Sequence, residues 1–584
     1  MTTITGSLNI GFTNNLITLA GLHNITTIGV NIFFSNSSTT LVNADFPSLT
    51  TVGGNFSVSN RSALNSMNIP NITTIGGSIT LNNLPLLSSL DFSNINTISA
   101  FSITNLGSLT SLNLSSLNTI DTNFQISNTA LANFNDISNI TNIGGSVIIN
   151  SNVNLTSIGV ISNLSTISNL SLAYNPILPS LNFPNLTNIN FFTLQSCPLV
   201  VFLNAPNINS SMINLSIISN ILLNDLDDFL NITSINYINI TNNPQLSAIL
   251  DFPNLSSLNN EVTFSNNDSV TTITANNLAT FGPNVLVSIN GNDALTSIPF
   301  FNVVSQVREL NIIYNQSLTN LSNFSNLGNV QNTLNLSSNT LLNDISDLTS
   351  VTGNTNYVRV IGNPVLTSLN GLENISSVND LLITSNVILT DINAIENIYY
   401  VGNNLFITNN TALDDCCILI NFLNGSNYVN GNILISNNNT NCSSIAAIIP
   451  YCKTTQIDTD TDSIIDINDN CANSPNSDQA DGDGDGIGDV CDNCPEVSNA
   501  SQTDIDNNGI GDICQNNLNT GTDLGGVGIG TVDPKSQLEI SIGDVFIKNF
   551  NRGIIMKTIG GKCFRYRPNE MGILLSKEIT CPDN

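Results

Sequence analysis

Residues 360–386 read VIGNPVLTSLNGLENISSVNDLLITSN. Two short apolar-alternating runs in this stretch stop at Asn363 and Asn386. Between them Leu366, Leu369, Leu372, Ile375 and Val378 return every third residue, and Leu382 or Ile383 starts the next run. Alternation marks a strand with one face inward, and the three-residue beat marks a bent path that keeps one apolar residue inside at each step. The same unit extends in both directions. Its end point falls at Asn14, Asn36, Asn60, Asn83, Asn105, Asn128, Asn152, Asn175, Cys197, Asn220, Asn243, Asn267, Asn292, Asn315, Asn339, Asn363, Asn386, Asn410 and Asn438, with steps of about 22–25 residues and a longer last one. A fixed period of this size means stacked repeats. Each repeat is one solenoid coil, and its turn Asn bonds backbone groups of neighbouring coils that nothing else inside the stack satisfies. At a strand spacing of about 4.8 Å, roughly 19 coils make a stack on the order of 90 Å long.

Gly53–Gly54, Gly76–Gly77 and Gly144–Gly145 sit just before new strands and are expected at tight corners with positive φ. Charge is scarce: residues 1–452 contain no Lys and only Arg61, Arg308 and Arg359, and the whole chain carries a net −30. Such a surface excludes nucleic acid, whose phosphates require basic contacts, and adsorption to anionic membranes. No apolar run approaches the length of a membrane span. The start, MTTITGSLNI, has neither the basic nor the apolar region of a signal peptide and begins inside a repeat. A leader and a capping segment are therefore expected to be missing from this chain.

The pattern GNPxLTSLxGLENxxSV and its weaker copies resemble the receptor L domain, a leucine-rich-repeat-like right-handed β-helix. The resemblance covers nearly all of residues 1–452 and implies a recognition scaffold. The rhythm changes in about residues 410–452, where CCILINFL and CSSIAAIIPYC read as short helices closing the last coil. Adjacent Cys416 and Cys417 point different ways, so each is expected to pair with a different one of Cys442 and Cys452. Zinc is the alternative use of these thiols, but His23 is the one histidine of the chain.

An enzyme on this scaffold would need clustered catalytic groups. The Arg residues are scattered and His23 reads as a turn residue, while the acidic run Asp225, Asp227, Asp228 reads as a solvated loop rather than a paired-carboxylate site. The paired aromatics Phe33–Phe34, Phe191–Phe192, Phe300–Phe301 and Tyr399–Tyr400 would each present one ring outward, free to stack on a sugar, if they lie in strands; core filling or loop packing is the reading favoured for any one pair. Ice binding would need sustained Thr arrays, and the Thr residues here are irregular. The expectation is a non-enzymatic protein.

Residues 453–516 carry the sharpest chemistry. DTDTDSIIDIND places Asp458, Asp460, Asp462, Asp466 and Asp469 at loop positions 1, 3, 5, 9 and 12. DGDGDGIGDVCD repeats this with Asp481, Asp483, Asp485, Asp489 and Asp492, and DIDNNGIGDICQ follows with Asp504, Asp506, Asn508 and Asp512. Alternate oxygens on a tight loop aim at one point, as a Ca²⁺ ion with six to eight oxygen ligands requires, and Gly486 and Gly509 at position 6 permit the sharp turn. Fourteen Asp from Asp458 to Asp512, with Glu496, face no base in this stretch. Without cations their repulsion would hold so apolar-poor a segment open. With CANSPNSDQADGDGDGIGDVC and CPEVSNASQTDIDNNGIGDIC, the stretch resembles thrombospondin type 3 repeats. That resemblance implies Cys471–Cys491 and Cys494–Cys514 bridges, calcium as the core of the fold, and a spacer that is stiff only with metal. Ser463 replaces the Gly of the first loop, and Asn508 and Gln515 weaken the third. Extracellular calcium modules bind at around 10⁻⁴–10⁻³ M.

In residues 517–584 bases slightly outnumber acids. NNLNTGTDLGGVGIG reads as a link, while QLEISIGDVFIK, GIIMKTIGGKCFRYRP and GILLSKEITC read as short antiparallel strands closed by a Cys563–Cys581 bridge. VGIGTVDPKSQLEI resembles a β-motif of bacterial surface proteins and phage tail fibres, which implies anchoring or homotrimer formation. The fold class expected is mainly β: a right-handed β-helix or leucine-rich-repeat-like solenoid (1–452), a calcium-loaded loop cassette (453–516) and a small β module (517–584). The function expected is an extracellular or cell-surface recognition and adhesion protein, of a kind found in Bacteroidetes, that meets a glycan or protein ligand. The alternatives are a glycan-processing enzyme on a β-helix and a structural fibre or tail-spike component.

Overall fold

A computed structural model describes residues 2–11, 15–34, 40–211, 213–247, 249–454, 459–462, 464, 466, 468–505, 508–514, 527–529, 538–540, 554–569, 571 and 573–580. The chain forms two compact units, Met1–Lys453 and Thr454–Asn584.

The first unit is a β-solenoid. Its main sheet is parallel throughout and follows chain order from Leu8–Ile10 and Ile32–Phe34 to Tyr400–Thr408 and Ile433–Ser436. Among the described residues nineteen such strands succeed one another, one per coil. Register is set by two inward columns. One runs Phe101, Phe124, Val147, Leu170, Phe192, Leu215 and onward, and the other runs Ile103, Ile126, Ile149, Leu172, Leu194, Ile217. All of these are buried, and a slip of one residue would turn both columns to solvent. Leu366, Leu369, Leu372, Ile375 and Val378 are buried as the three-residue beat requires. In the following strand Leu381 and Ile383 face inward and Leu382 faces out.

The Asn row resolves into two rows one residue apart. From Asn152 to Asn410, with Cys197 among them, the row is buried. Each side chain there spans two coils: Asn315 Oδ1 accepts the Asn292 N–H at 3.1 Å, and Asn315 Nδ2 donates to the Ile289 carbonyl at 2.8 Å. The residue before each has positive φ, as at Asn242, Asn266 and Asn409. In the early coils the Asn residues occupy that earlier place: Asn60, Asn83, Asn105 and Asn128 have φ of 56, 55, 59 and 55° and are exposed. The buried place then holds Arg61, Leu84, Leu106 and Thr129. Asn is suited to both positions, since it tolerates the left-handed region and its amide can pair backbone groups. The exposed row bonds side chain to side chain, with Asn83 Nδ2 donating to Asn60 Oδ1 at 2.9 Å. Asn14 and Asn36 lie outside the described residues. Cys197 takes the buried place; its N–H donates to Asn220 Oδ1 at 3.1 Å, and its thiol lies 3.8 Å from the Leu172 carbonyl.

The glycine pairs are not at positive φ. Their cause is close approach: a Cβ on Gly53 would lie 2.1 Å from the Gly29 carbonyl oxygen, and one on Gly76 2.3 Å from that of Gly53. Consecutive coils touch backbone to backbone at these glycines, so a side chain there would force the neighbouring coil to shift.

The last coil is covered by a 3₁₀ turn (Cys417–Leu419) running into a short helix (Ile420–Leu423) and by a second helix, Ile445–Thr454. Cys416 pairs with Cys442 and Cys417 with Cys452.

In the second unit, Ile554–Lys557, Cys563–Pro568 and Leu574–Ile579 form an antiparallel meander. Leu538–Ile540 departs from the antiparallel expectation and pairs in parallel with Val527–Ile529. The Gly-rich run read as a link supplies that neighbouring strand. Cys563 is disulfide-bonded, but Cys581 lies outside the described residues, as does the rest of QLEISIGDVFIK beyond Ile540. Among the described residues no helix is long and apolar enough to cross a membrane.

Candidate metal centre

Among the described residues the acidic loops are built from turns and bends, without strand or helix. In the second loop each carboxylate first ties down the backbone of its own turn. Asp481 accepts the N–H groups of Gly484 at 2.8 Å and Gly486 at 3.0 Å, and Asp483 accepts that of Asp485 at 3.2 Å. Asp485 accepts the Ile487 N–H at 2.9 Å, and Asp489 reaches back to the Gly482 N–H at 2.6 Å. Gly484 and Gly486 have φ of 76 and 92°, where a side chain would be strained.

Asp481 and Asp485 accept backbone N–H groups on both carboxylate oxygens, whereas Asp483 does so on one. Asp481, Asp483 and Asp485 bring one carboxylate oxygen each within 4.8 Å of one another, and Asp460, Asp462 and Asp469 do the same in the first loop. The Oδ2 atoms of Asp469, Asp483 and Asp492 are buried without a hydrogen-bond partner among the described residues. Buried anionic oxygens without partners are costly unless a cation meets them. The neighbouring carboxylates also act on each other: desolvation first, then the charges of Asp485, Asp492 and Asp481, hold Asp483 above the ordinary carboxylate range. Asp481 is held below it, chiefly by the Gly486 N–H. Converging oxygen-only donors fit a hard divalent cation, and the orphaned oxygens at positions 3 and 12 are where such an ion would find ligands.

The third loop keeps part of this frame. Asp504 accepts the N–H of Asn508 at 3.2 Å and of Gly509 at 2.7 Å, and Asp512 accepts that of Ile505 at 3.0 Å. Asp458 and Asp506 lie outside the described residues, as do Ser463 and Gln515. Asp466 caps the Thr459 N–H at 2.7 Å and its hydroxyl at 2.6 Å, which lowers its pKa.

A set of amides went unnoticed in the sequence. Gln479 Oε1 accepts the Asn470 N–H at 2.9 Å while its Nε2 donates to Asp469 Oδ1 at 2.8 Å. Gln502, 23 residues on, does the same for Asn493 and Asp492, at 2.9 and 2.7 Å. Asn476 and Asn499 donate to Asn470 and Asn493, each at 2.6 Å. The 23-residue offset that relates the Asp residues also relates these amides and would have found them. The bridges are Cys471–Cys491 and Cys494–Cys514, with Cys471 and Cys494 buried.

The other candidates do not assemble a site. His23 is an exposed residue ending the 3₁₀ turn Ala20–Leu22. Asp228 is not solvated as expected: it is 7% exposed and accepts the Ala205 N–H at 2.6 Å, an acceptor role inside the coil, and burial raises its pKa. Phe191 and Tyr399 face out beside the more buried Phe192 and Tyr400. Phe300 and Phe301 are both fully buried, because they lie in the 3₁₀ turn Pro299–Phe301, where strand alternation does not apply.

The loops form a disulfide-stapled, acidic repeat cassette whose carboxylates are grouped closely enough to hold a metal ion. The profile of the thrombospondin type 3 repeat matches residues 451–479 and 479–502. Residues 451–502 are thus thrombospondin type 3 repeats, a calcium-binding module of extracellular type, joined here to a β-solenoid. No curated protein matches the chain.

Proposed function

We propose that the chain is a non-enzymatic recognition and adhesion protein of the cell surface or extracellular space. The solenoid, whose sequence resembles receptor L domains, presents the ligand face, and the calcium-loaded cassette spaces it from the C-terminal module. The observation that carries this reading is the pairing of a long repeat face with thrombospondin type 3 loops whose carboxylate oxygens converge. The C-terminal module, with its likeness to surface-protein and tail-fibre motifs, would anchor the chain or join it into trimers.

The test is an array of glycans and extracellular proteins probed with the full chain in millimolar calcium. Saturable retention of a restricted ligand set is expected. Release of reducing ends from a bound polysaccharide would favour the glycan-processing alternative. An empty array with homotrimers in solution would favour a structural fibre.

A further inference from the structure

The outer face of the main sheet is rich in Ser, Thr and Asn, and apolar or aromatic residues break it at several places, among them Phe191, the column Leu382, Phe406, Leu434, and the coils around Tyr237. Tyr237, Glu261 and Leu286 stand in a single column on three consecutive coils. Their strand neighbours Ile238, Val262 and Val287 fill the core, so the column faces outward. Together with Asn236, Asn260 and Arg308 these residues line a shallow cleft of about 410 Å³. It is a built feature. Asn236 Nδ2 donates to Asn214 Oδ1 at 2.9 Å, and Asn260 Nδ2 donates to Asn236 Oδ1, which fixes a ladder of amides along one wall. The Arg308 guanidinium rests against Glu309 at 3.4 Å. The Tyr237 hydroxyl meets the Asn239 side chain. Of the three arginines in residues 1–452, Arg61 is fully buried, so Arg308 is one of two cations this face has to offer.

We infer that this cleft binds a neutral oligosaccharide. This rests on the recognition reading above and adds a place and a ligand class to it. The half-buried Tyr237 ring has an apolar face for the C–H side of a sugar ring and a polar edge. Planar amides, a carboxylate and a guanidinium offer both donors and acceptors to sugar hydroxyls. Successive coils lie about 4.8 Å apart, so neighbouring rungs can meet neighbouring sugar units of an extended chain. The charges select against an acidic glycan: Glu261 and Glu309 outnumber Arg308, which is already paired. A protein partner would need a larger apolar centre than Leu286 supplies, since the adjoining outward column runs Asn239, Thr263, Ser288, Asn311.

The experiment is calorimetric titration of the full chain, in millimolar calcium, with cello-, malto-, manno-, xylo- and chitohexaose and with hexagalacturonate. At least one neutral hexasaccharide is expected to bind with Kd below a millimolar. Tyr237→Ala should weaken it about tenfold or more, and Tyr237→Phe should keep most of the affinity. Tyr357→Ala, an outward aromatic further along the same column, should leave it unchanged. Should Tyr237→Ala fail to fold, Arg308→Ala alters only a half-exposed side chain and should also weaken binding. Binding by hexagalacturonate alone, no neutral ligand at millimolar concentration, or affinity that survives both Tyr237→Ala and Arg308→Ala would each overturn the assignment. Array ligands retained by a Tyr237→Ala chain would leave the recognition reading standing without this cleft.

Discussion

The solenoid and the acidic cassette repeat at nearly the same interval and both use side-chain amides to satisfy backbone, yet their interiors are opposites. In the solenoid every coil adds Leu, Ile, Val or Phe to a continuous buried column. In the cassette Val490, Ile505, Ile510 and Ile513 are exposed, and among the described residues the buried ones are Cys471, Asn476, Gly488, Cys494 and Gly511. What converges there is carboxylate oxygen. The hydrophobic effect can hold the first region together alone; the second lacks the apolar surface to do so, and under the proposed function its two disulfides are joined by a cation as core.

The largest effect should come from removing that cation. With a calcium chelator present, limited proteolysis of the full chain is expected to cut within residues 454–514 many-fold faster while the solenoid stays whole. Equal resistance with and without chelator would erase the contrast between the two regions.

The next effect lies inside the solenoid. Asn315→Ala leaves the Asn292 N–H and the Ile289 carbonyl without their buried partner, at about 1–3 kcal/mol for each group. Asn83→Gly, at an exposed left-handed position, is expected to cost less than about 0.5 kcal/mol. Denaturant melts of the two variants would show whether the buried and exposed rows differ as their bonding does. Chelator should not change either value.

Most of the architecture was legible in the sequence because apolar columns leave a periodic trace. What the trace could not separate was the two Asn rows: TNN at 241–243 fills both, while Asn60 and Asn152 each fill one, and a count of spacing cannot tell them apart. The glycine pairs were found for the wrong reason, since contact between coils more than twenty residues apart is invisible to local turn chemistry. The acidic loops were legible because their carboxylates lie close together in the chain. The amides at Asn470, Asn476 and Gln479 were missed because they act on backbone and carry no charge to draw attention.

Smaller still is the change at Cys197, where a sulfur replaces the amide oxygen that would accept the Asn175 N–H. Burial pushes this thiol's pKa up, so it remains uncharged. Cys197→Asn should complete the ladder and stabilise the solenoid by about 1 kcal/mol, read as a higher denaturation midpoint. A loss of stability would show that the pocket is shaped for sulfur.

The smallest effect concerns Asp228, whose pKa burial raises in the folded state. A carboxyl with a raised folded pKa binds its proton more tightly when folded, so its contribution falls as pH rises from the unfolded value through the folded one. Asp228→Asn keeps an oxygen for the Ala205 N–H and removes that loss. Its melting temperature relative to the parent should therefore be more favourable at neutral pH than near pH 4, and the opposite trend would mean that the ionised form is the one the coil favours.

The contrast between the two interiors is tested most directly by calcium titration of the metal-free full chain, with hydrogen exchange followed at each step. Saturable uptake of at least two ions is expected, with protection appearing in residues 459–514 and unchanged protection in the solenoid strands. Protection of those loops before any calcium is added, or titration to several millimolar without uptake, would contradict a cation-cored cassette.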